Sequence, residues 1–425
     1  MAKNRMYFLI SVAMTLSLVF ACISCATTPT PAPPEEGKKE TVTITIGALL
    51  DLSGPTATST LPGVDGLRDV NNYFNKKGGL DWDGGKVIVK IEEFDNRYDP
   101  SVSLPAYERM AARGLPVVLT HQSTDNLGLK DRAERDKVVI FTLSPTSGAL
   151  VPPGWVFANY LSYADSFTGF LKWVKDTWDW EGKGTPQVAS LTWDTAYGKA
   201  HLCAEPYAEE LGIEYVGTEY SAILPTDVTP QVERLKELGA DYVVTQAVTP
   251  IAIYMKDMHR LGFEGHLVIG LNTGLIEWIP AAGADAAVGT ISLKGLIDMG
   301  SITADHPYMK KCKEIQDYLG IDRDISTFYP NGTSGMVIIQ DAIVRALNKV
   351  GDPDKVTGQA IYDALIETKN LDTWGATTPI SYSATQRRGS VSLRMTEAKP
   401  GGSIGLVHDW MEVPDALELY PTCAE

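Results

Sequence analysis

The sequence is poor in the residues that most catalytic and metal chemistry needs. Only five cysteines and six histidines occur in 425 residues, and the histidines, at 121, 201, 259, 266, 306 and 408, show no metal-ligand spacing. There is no G-x-x-x-x-G-K loop ending in Ser or Thr, no G-x-G-x-x-G, no H-E-x-x-H and no G-x-S-x-G, so the common cofactor and hydrolase signatures are missing. Positive charge is also short: 37 Lys and Arg against 53 Asp and Glu leave a net charge of -16. Such a surface repels nucleic acid phosphates and anionic membranes, and a nucleic acid partner is not expected on that ground. What is present is a chain long enough for two or three domains at roughly 150 residues each. Its 44% hydrophobic and 21% charged content is that of a globular body.

The N-terminus reads as an export signal. Lys3 and Arg5 precede an apolar run from Met6 to Ala21, too short and wrongly flanked for a permanent span. Removing residues 1–24 takes away those two positive charges and no negative ones, moving the net charge from -16 to -18. Cys22-Ile23-Ser24-Cys25 has C-x-x-C spacing but no second pair downstream, which argues against zinc or redox use. The segment resembles the lipobox of bacterial lipoproteins, with Cys25 as the acylated first residue, although Cys22 stands where Leu is usual. Residues 25–41, rich in Thr and Pro, then form an extended tether between lipid and body. Simple secretion with a frayed terminus is the alternative.

Beyond the tether, apolar β-branched runs alternate with helical patterns. VTITIGALL (42–50) is a strand, followed by a loop and by Val64, Leu67, Val70 and Phe74 on one helical face. KVIVKIEEF (86–94), PVVLT (116–120) and VVIFTL (138–143) continue the design, with helices opened at Asp99-Pro100 and spanning 129–136. The pattern repeats with a helix over 164–178, the strand QVASLTW (187–193) and a helix over 197–211. Strands then fall at IEYVGTEY, DYVVTQAV and HLVIGL, and another over 287–297. Helices over 309–319, 333–350 and 357–368 and three extended C-terminal pieces close the chain; Thr333 is read as the cap of its helix. The alternation predicts an α/β fold with parallel sheets. Asp81-Trp82-Asp83-Gly84 reads as a turn, lacking the ligand series of a calcium loop. Of the remaining cysteines, Cys203, Cys312 and Cys423, at most one pair can join, and the sequence leaves both the pairing and three free thiols open.

ITIGALLDLSGP (44–55), GLRDVNNYFNKKGGL, KVIVKIEEFDNRYDP, VVIFTLSPTSGAL (138–150) and LTWDTAYGKA (191–200), in that order and spacing, resemble the branched-chain amino acid binding proteins. These are the type I periplasmic solute-binding proteins of ABC importers, and the resemblance covers 42 to about 413. It implies two lobes, each a parallel sheet flanked by helices, joined by a three-crossing hinge with the solute in the cleft. Lobe 1 would take 42–161 and 298–385, and lobe 2 162–297 and 386–425. It further implies a non-enzymatic receptor without cofactor or metal, an ABC permease partner in the inner membrane, and a location in the periplasm or at the cell surface, held to the membrane by its N-terminal lipid.

Candidate site residues follow from the loops at the carboxyl ends of strands. Ser123 and Thr124, and Thr146 and Ser147, offer hydroxyls and helix-start N–H groups to a carboxylate or carbonyl oxygen. Ordinary N-capping explains the same residues. Tyr197 matches the cleft Tyr of the family's Tyr-Gly motif, or else is a helix-start core residue. Thr245, Gln246 and Thr249 end another strand, facing the cleft or simply in a loop. Where amino acid binders of the family carry an acid to pair with the α-ammonium, this chain has Asn272. An amide does not neutralise a buried cation, so the expected solute widens from amino acids to small carboxylates, amides and ureas. A sensor of the same fold and an α/β hydrolase are the rival readings.

Overall fold

The computed structural model describes residues 40–271 and 273–424. The signal segment, the tether, Cys25 and Asn272 lie outside the described residues. Among the described residues, thirteen strands form two sheets. The first sheet contains β1 (Glu40–Leu50), β2 (Leu80–Trp82), β3 (Gly85–Asp95), β4 (Val117–Thr120), β5 (Val139–Thr142) and β6 (Val156–Ala158), in the order β2-β3-β1-β4-β5-β6. All pairings are parallel except the edge pair β2–β3. The second contains β7 (Gln187–Trp193), β8 (Glu214–Ser221), β9 (Tyr242–Thr245), β10 (His266–Ile269), β11 (Ile291–Lys294), β12 (Ser392–Ala398) and β13 (Ile404–Glu412). Its order is β13-β12-β11-β10-β9-β7-β8, and all pairings are parallel except β11–β12 and β12–β13. The sequence reading of a two-lobed α/β fold of the periplasmic-binding-protein type is what the structure contains.

Short, wholly buried strands explain the sheets. β4 and β5 are VVLT and VIFT, four residues each and buried on both faces, as parallel strands covered by helices must be. On the first sheet the helices Ala57–Lys76 and Tyr329–Val350 pack so closely that a Cβ on Gly332 would come within 1.7 Å of the Gly63 carbonyl oxygen. Only glycine allows that approach.

Several boundaries differ from the sequence expectations. The helix expected over 197–211 is a short helix Ala196–Lys199, a 3-10 turn Leu202–Ala204 and a helix Pro206–Glu210, because Pro206 cannot donate into a continuous helix. The strand expected over 287–297 is only Ile291–Lys294, its start being taken by the helix Ala284–Ala287. Thr333 is not a cap: its helix begins at Tyr329, and its hydroxyl bonds the Pro330 carbonyl oxygen and the Tyr308 hydroxyl. Cys203 and Cys423 form a disulfide, while Cys312 is a buried free thiol.

Three passages of chain run side by side between the sheets. Ala158 and Arg387–Gly389 exchange backbone hydrogen bonds of 2.9 and 2.8 Å, and Gly295 packs directly against Tyr160 and Leu161. Beside them the buried Arg388 donates to both oxygens of Asp165 at 2.7 Å and to Asp415 at 2.6 Å. Asp165 also completes a capping box with Ser162 at the start of the helix Tyr163–Thr177 and accepts from the Ala416 amide at 3.0 Å. A buried ion pair that loses one partner leaves an uncompensated charge, costing about 3–5 kcal/mol. Asp165→Asn is therefore expected to lower the free energy of urea unfolding by about 3 kcal/mol or more. A change within about 0.5 kcal/mol would show that the network carries no stability.

Candidate functional site

Both parallel cores have the strand order 2-1-3-4-5, which places a switch point between β1 and β4 in one sheet and between β7 and β9 in the other. At such points the loops leaving adjacent strands diverge and open a crevice. A cavity of about 60 Å³, counted as space for the centre of a water molecule, lies where the two sets of loops meet. At roughly 10–15 Å³ per water centre, that is room for a handful of waters or one small solute.

The first-lobe wall is built by hydrogen bonds to buried side chains. After β1, Asp51 accepts from the Gly54 amide (2.5 Å), the Thr56 amide (2.8 Å) and the Thr56 hydroxyl (2.7 Å), which fixes the loop and turns Thr56 and Ser59 to the cavity. After β3, Arg97 and Tyr98 take left-handed conformations with φ of 55° and 60°. Such strain persists only where the surroundings impose it, and here the Tyr98 amide donates to Asn96 at 3.2 Å. After β4 come His121, Gln122 and Ser123, all lining the cavity. Asn126, wholly buried, ties β4 to β5 by accepting from Thr120 (2.5 Å) and donating to Thr142 (2.7 Å) and to the Ser144 carbonyl oxygen (2.8 Å). This holds Ser144 within 3.2 Å of the Ser123 hydroxyl and 2.8 Å of the Tyr163 hydroxyl, a chain of three hydroxyls along one wall.

The second-lobe wall is aromatic and apolar. Trp193 ends β7 and Tyr197 follows it, with ring centroids 5.9 Å apart, and Tyr163 stands edge-on to Tyr197 at 5.2 Å. Val248 follows β9, and Leu271 and Thr273 follow β10. Phe328, in the loop before the helix Tyr329–Val350, crosses to pack with the core of the second lobe, and Asn331 completes the lining.

Of the residues singled out from sequence, Ser123 and Tyr197 line this cavity. Thr124, Thr146, Ser147 and Gln246 are not among its described lining residues. Thr146 precedes the short helix Ser147–Leu150 without capping it, and Ser147 has a buried hydroxyl with no partner among the described residues. Gln246 is buried behind the Tyr197 hydroxyl, with its backbone bonded to Thr192. Sequence reasoning passed over Thr56, Ser59, Tyr98, His121, Gln122, Ser144 and Asn331. His121 and Gln122 were within reach, since they directly follow a strand that ends at the switch point.

Electrostatically the site is quiet. No described lining residue is Asp, Glu, Lys or Arg. Burial pulls His121 down to about 4, so its imidazole is neutral at physiological pH. Burial likewise raises the Tyr163 and Tyr197 hydroxyls well above the ordinary phenol value, and they act as neutral hydrogen-bonding groups. Among the described residues no group of three or more His, Cys, Asp or Glu is placed to hold a metal ion.

A two-lobed α/β body with a small, uncharged cavity between the strand-end loops of its lobes is a receptor for a small molecule. Residues 43–403 match the family model described as periplasmic binding protein, and the chain belongs to that family. Membership carries a solute-binding role and an extracytoplasmic location. Among solved structures, a branched-chain amino acid ABC transporter protein from Thermus thermophilus with bound valine is 24% identical, with a TM-score of 0.78 over 90% of this chain and 99% of its own. An ABC transporter substrate binding protein from Aeropyrum pernix is 20% identical, with a TM-score of 0.78 over 90% and 99%. A fatty acid ABC transporter substrate-binding protein from Thermomonospora curvata is 19% identical, with a TM-score of 0.73 over 89% and 94%. At these identities the likeness is one of fold. No curated protein matches the chain.

His201, in the turn that follows Tyr197, is wholly buried and bonds the Ser190 hydroxyl at 2.9 Å. Burial lowers it from 6.5 to about 4. Between those values the unfolded chain binds a proton that the folded chain does not, so stability rises with pH through that window and is lost as pH falls. Urea midpoints measured from pH 7 to pH 4.5 are expected to drop, and His201→Phe should flatten part of that slope. An identical slope in the variant would remove His201 as its source.

Proposed function

We propose that the chain is the solute-binding component of an ABC importer, anchored to a bacterial membrane through an acylated Cys25, and that it captures one small polar solute by closing its lobes. The observation that supports this most is the position of the cavity. Its walls come from loops after β1, β3, β4 and β5 of one sheet and after β7, β9 and β10 of the other, so a solute there touches both lobes at once. Contacts made to both lobes exist only when they are together, and binding then shifts the open–closed population by that differential affinity. A membrane permease that reads the closed state is the partner this reading requires. The structural relatives span solutes as unlike as valine and a fatty acid, so the solute must be argued from this chain's own wall.

The enzyme alternative has one point of attachment, the Ser190–His201 pair. Both residues are wholly buried, neither lines the cavity, and no carboxylate among the described residues orients the second imidazole nitrogen. A nucleophile needs access and an oriented base, and this pair has neither.

A thermal-shift screen of amino acids, aliphatic and aromatic acids, amides and ureas should find at least one solute that raises Tm. Ser123→Ala and Tyr197→Ala should each weaken that solute's binding by about tenfold while leaving the ligand-free Tm within about 2 °C. Unchanged affinity in both would displace the site. Separately, Cys25→Ser should move the protein from the membrane fraction to the soluble fraction of cells, and continued membrane retention would remove the lipid anchor.

A further inference from the structure

Two residues that line the cavity each carry a buried side-chain atom with no hydrogen-bond partner among the described residues, one an acceptor and one a donor. Gln122 is 1% exposed and lines the cavity, and its Oε1 has no hydrogen-bond partner among the described residues. Its orientation is dictated from behind. Asn96 donates through Nδ2 to the Asp125 carboxylate at 2.8 Å, so Asn96 Oδ1 is an acceptor. Gln122 must then offer Nε2 to it, at 2.7 Å, which leaves Oε1 as the free acceptor. Across the cavity Trp193 is 1% exposed, and its indole Nε1–H, a donor only, has no partner among the described residues. Each orphan bears the cost of its desolvation while it stays unpaired, which a complementary solute recovers.

The charges around the wall argue against an ion. An anion at the start of the helix Ser123–Asp136 would gain from the helix dipole, but the first turn already holds the buried Asp125, and Asp51 stands behind Thr56. No cation among the described lining residues offsets them, since His121 is neutral. An ammonium fares no better. Asp51 spends both oxygens on Gly54 and Thr56; Asp125 accepts from Asn96 and Ser103 through Oδ2 while its Oδ1 has no partner among the described residues, and neither carboxylate is among the described lining residues. Asn272, whose placement lies outside the described residues, is itself an amide. The hydroxyl chain Ser123–Ser144–Tyr163 gives or takes a proton at either link and adapts to a neutral partner.

We infer that the solute is uncharged and presents an amide-like pair, an acceptor for Trp193 Nε1 and an N–H donor for Gln122 Oε1, rather than a carboxylate or a zwitterionic amino acid. This rests on the receptor reading and narrows it. The test is calorimetric titration of the full chain with matched probes: isobutyramide, isobutyrate and valine as one series, benzamide, benzoate and phenylglycine as the other. In at least one series the amide is expected to bind ten times or more tightly than its acid and amino acid. An acid or amino acid that binds as tightly as its amide, or more tightly, overturns the inference and leaves the receptor reading standing. If none of the six probes binds, the inference is overturned, and only the broader thermal-shift screen, if it too finds no solute, counts against the receptor reading. Trp193→Phe, which keeps the ring and removes the donor, and Gln122→Leu, which removes the acceptor, should each cost the amide about tenfold in affinity. Circular dichroism and the ligand-free Tm verify that both variants fold. Two folded variants that bind the amide as well as the parent chain would also overturn the assignment.

Discussion

The architecture depends on one buried ion cluster. Arg388 sits where the chain passes between the sheets, and burial opposes its charge, yet Asp165 and Asp415 together hold the guanidinium above its ordinary pKa. Each partner is committed elsewhere as well: Asp165 to the start of the helix Tyr163–Thr177, and Asp415 to the amides of Leu417 and Glu418 in the C-terminal turn. One side chain thus joins a passage from the last quarter of the chain, the first helix after the first sheet, and the start of the helix Ala416–Leu419. Arg387 beside it is equally buried, stacked on Phe157 and Tyr362 and donating to the Gly154 carbonyl oxygen at 2.7 Å. The adjacent arginines pin this strand of the crossing to the residues that flank the Ala158 passage and to the C-terminal turn. On the proposed reading, lobes that change angle would do so without parting at this crossing.

The parallel cores translate that geometry into a site. In a 2-1-3-4-5 sheet the crevice position is set by topology, so the cavity follows from strand order before any side chain is considered. This explains what was legible in the sequence. The strands β1, β3, β4, β5 and β7 stand out as β-branched runs, the loops after them are locatable, and the resemblance supplied the pairing of two such cores. Ser123 and Tyr197 were found because each sits one turn beyond a strand end. The C-terminal return of β12 and β13 into the second sheet was implied only by the resemblance, since antiparallel partners distant in sequence leave no local periodicity that names their sheet.

What stayed hidden depends on contacts between distant residues. Tyr98 reaches the cavity through two consecutive left-handed residues, and no propensity favours Arg and Tyr there. Gln122 looks like any polar loop residue until Asn96, in the loop after β3 and itself oriented by Asp125, fixes its amide. Thr146 and Ser147 carried the expected chemistry by residue type, but the chain takes them past the described lining, and Ser144 occupies the wall instead. Residue type and loop position were readable, whereas side-chain direction was decided by a second layer of hydrogen bonds.

The contact between lobes carries its own energetic balance. Lys294, wholly buried at the end of β11, donates to the Thr327 hydroxyl at 2.8 Å, and the Thr327 amide donates to Glu277 at 2.6 Å. Burial lowers the Lys294 pKa against the pull of Asp298 and Glu277, the mark of a cation that has given up solvent for imperfect repayment. Ion groups buried in this way come close to break-even. Contacts of this kind add little to the meeting of the lobes. On the proposed reading that near-balance is useful, because a receptor whose empty lobes closed strongly would carry no information about its solute. The decisive increment then comes from whatever fills the cavity and satisfies the polar atoms of its walls.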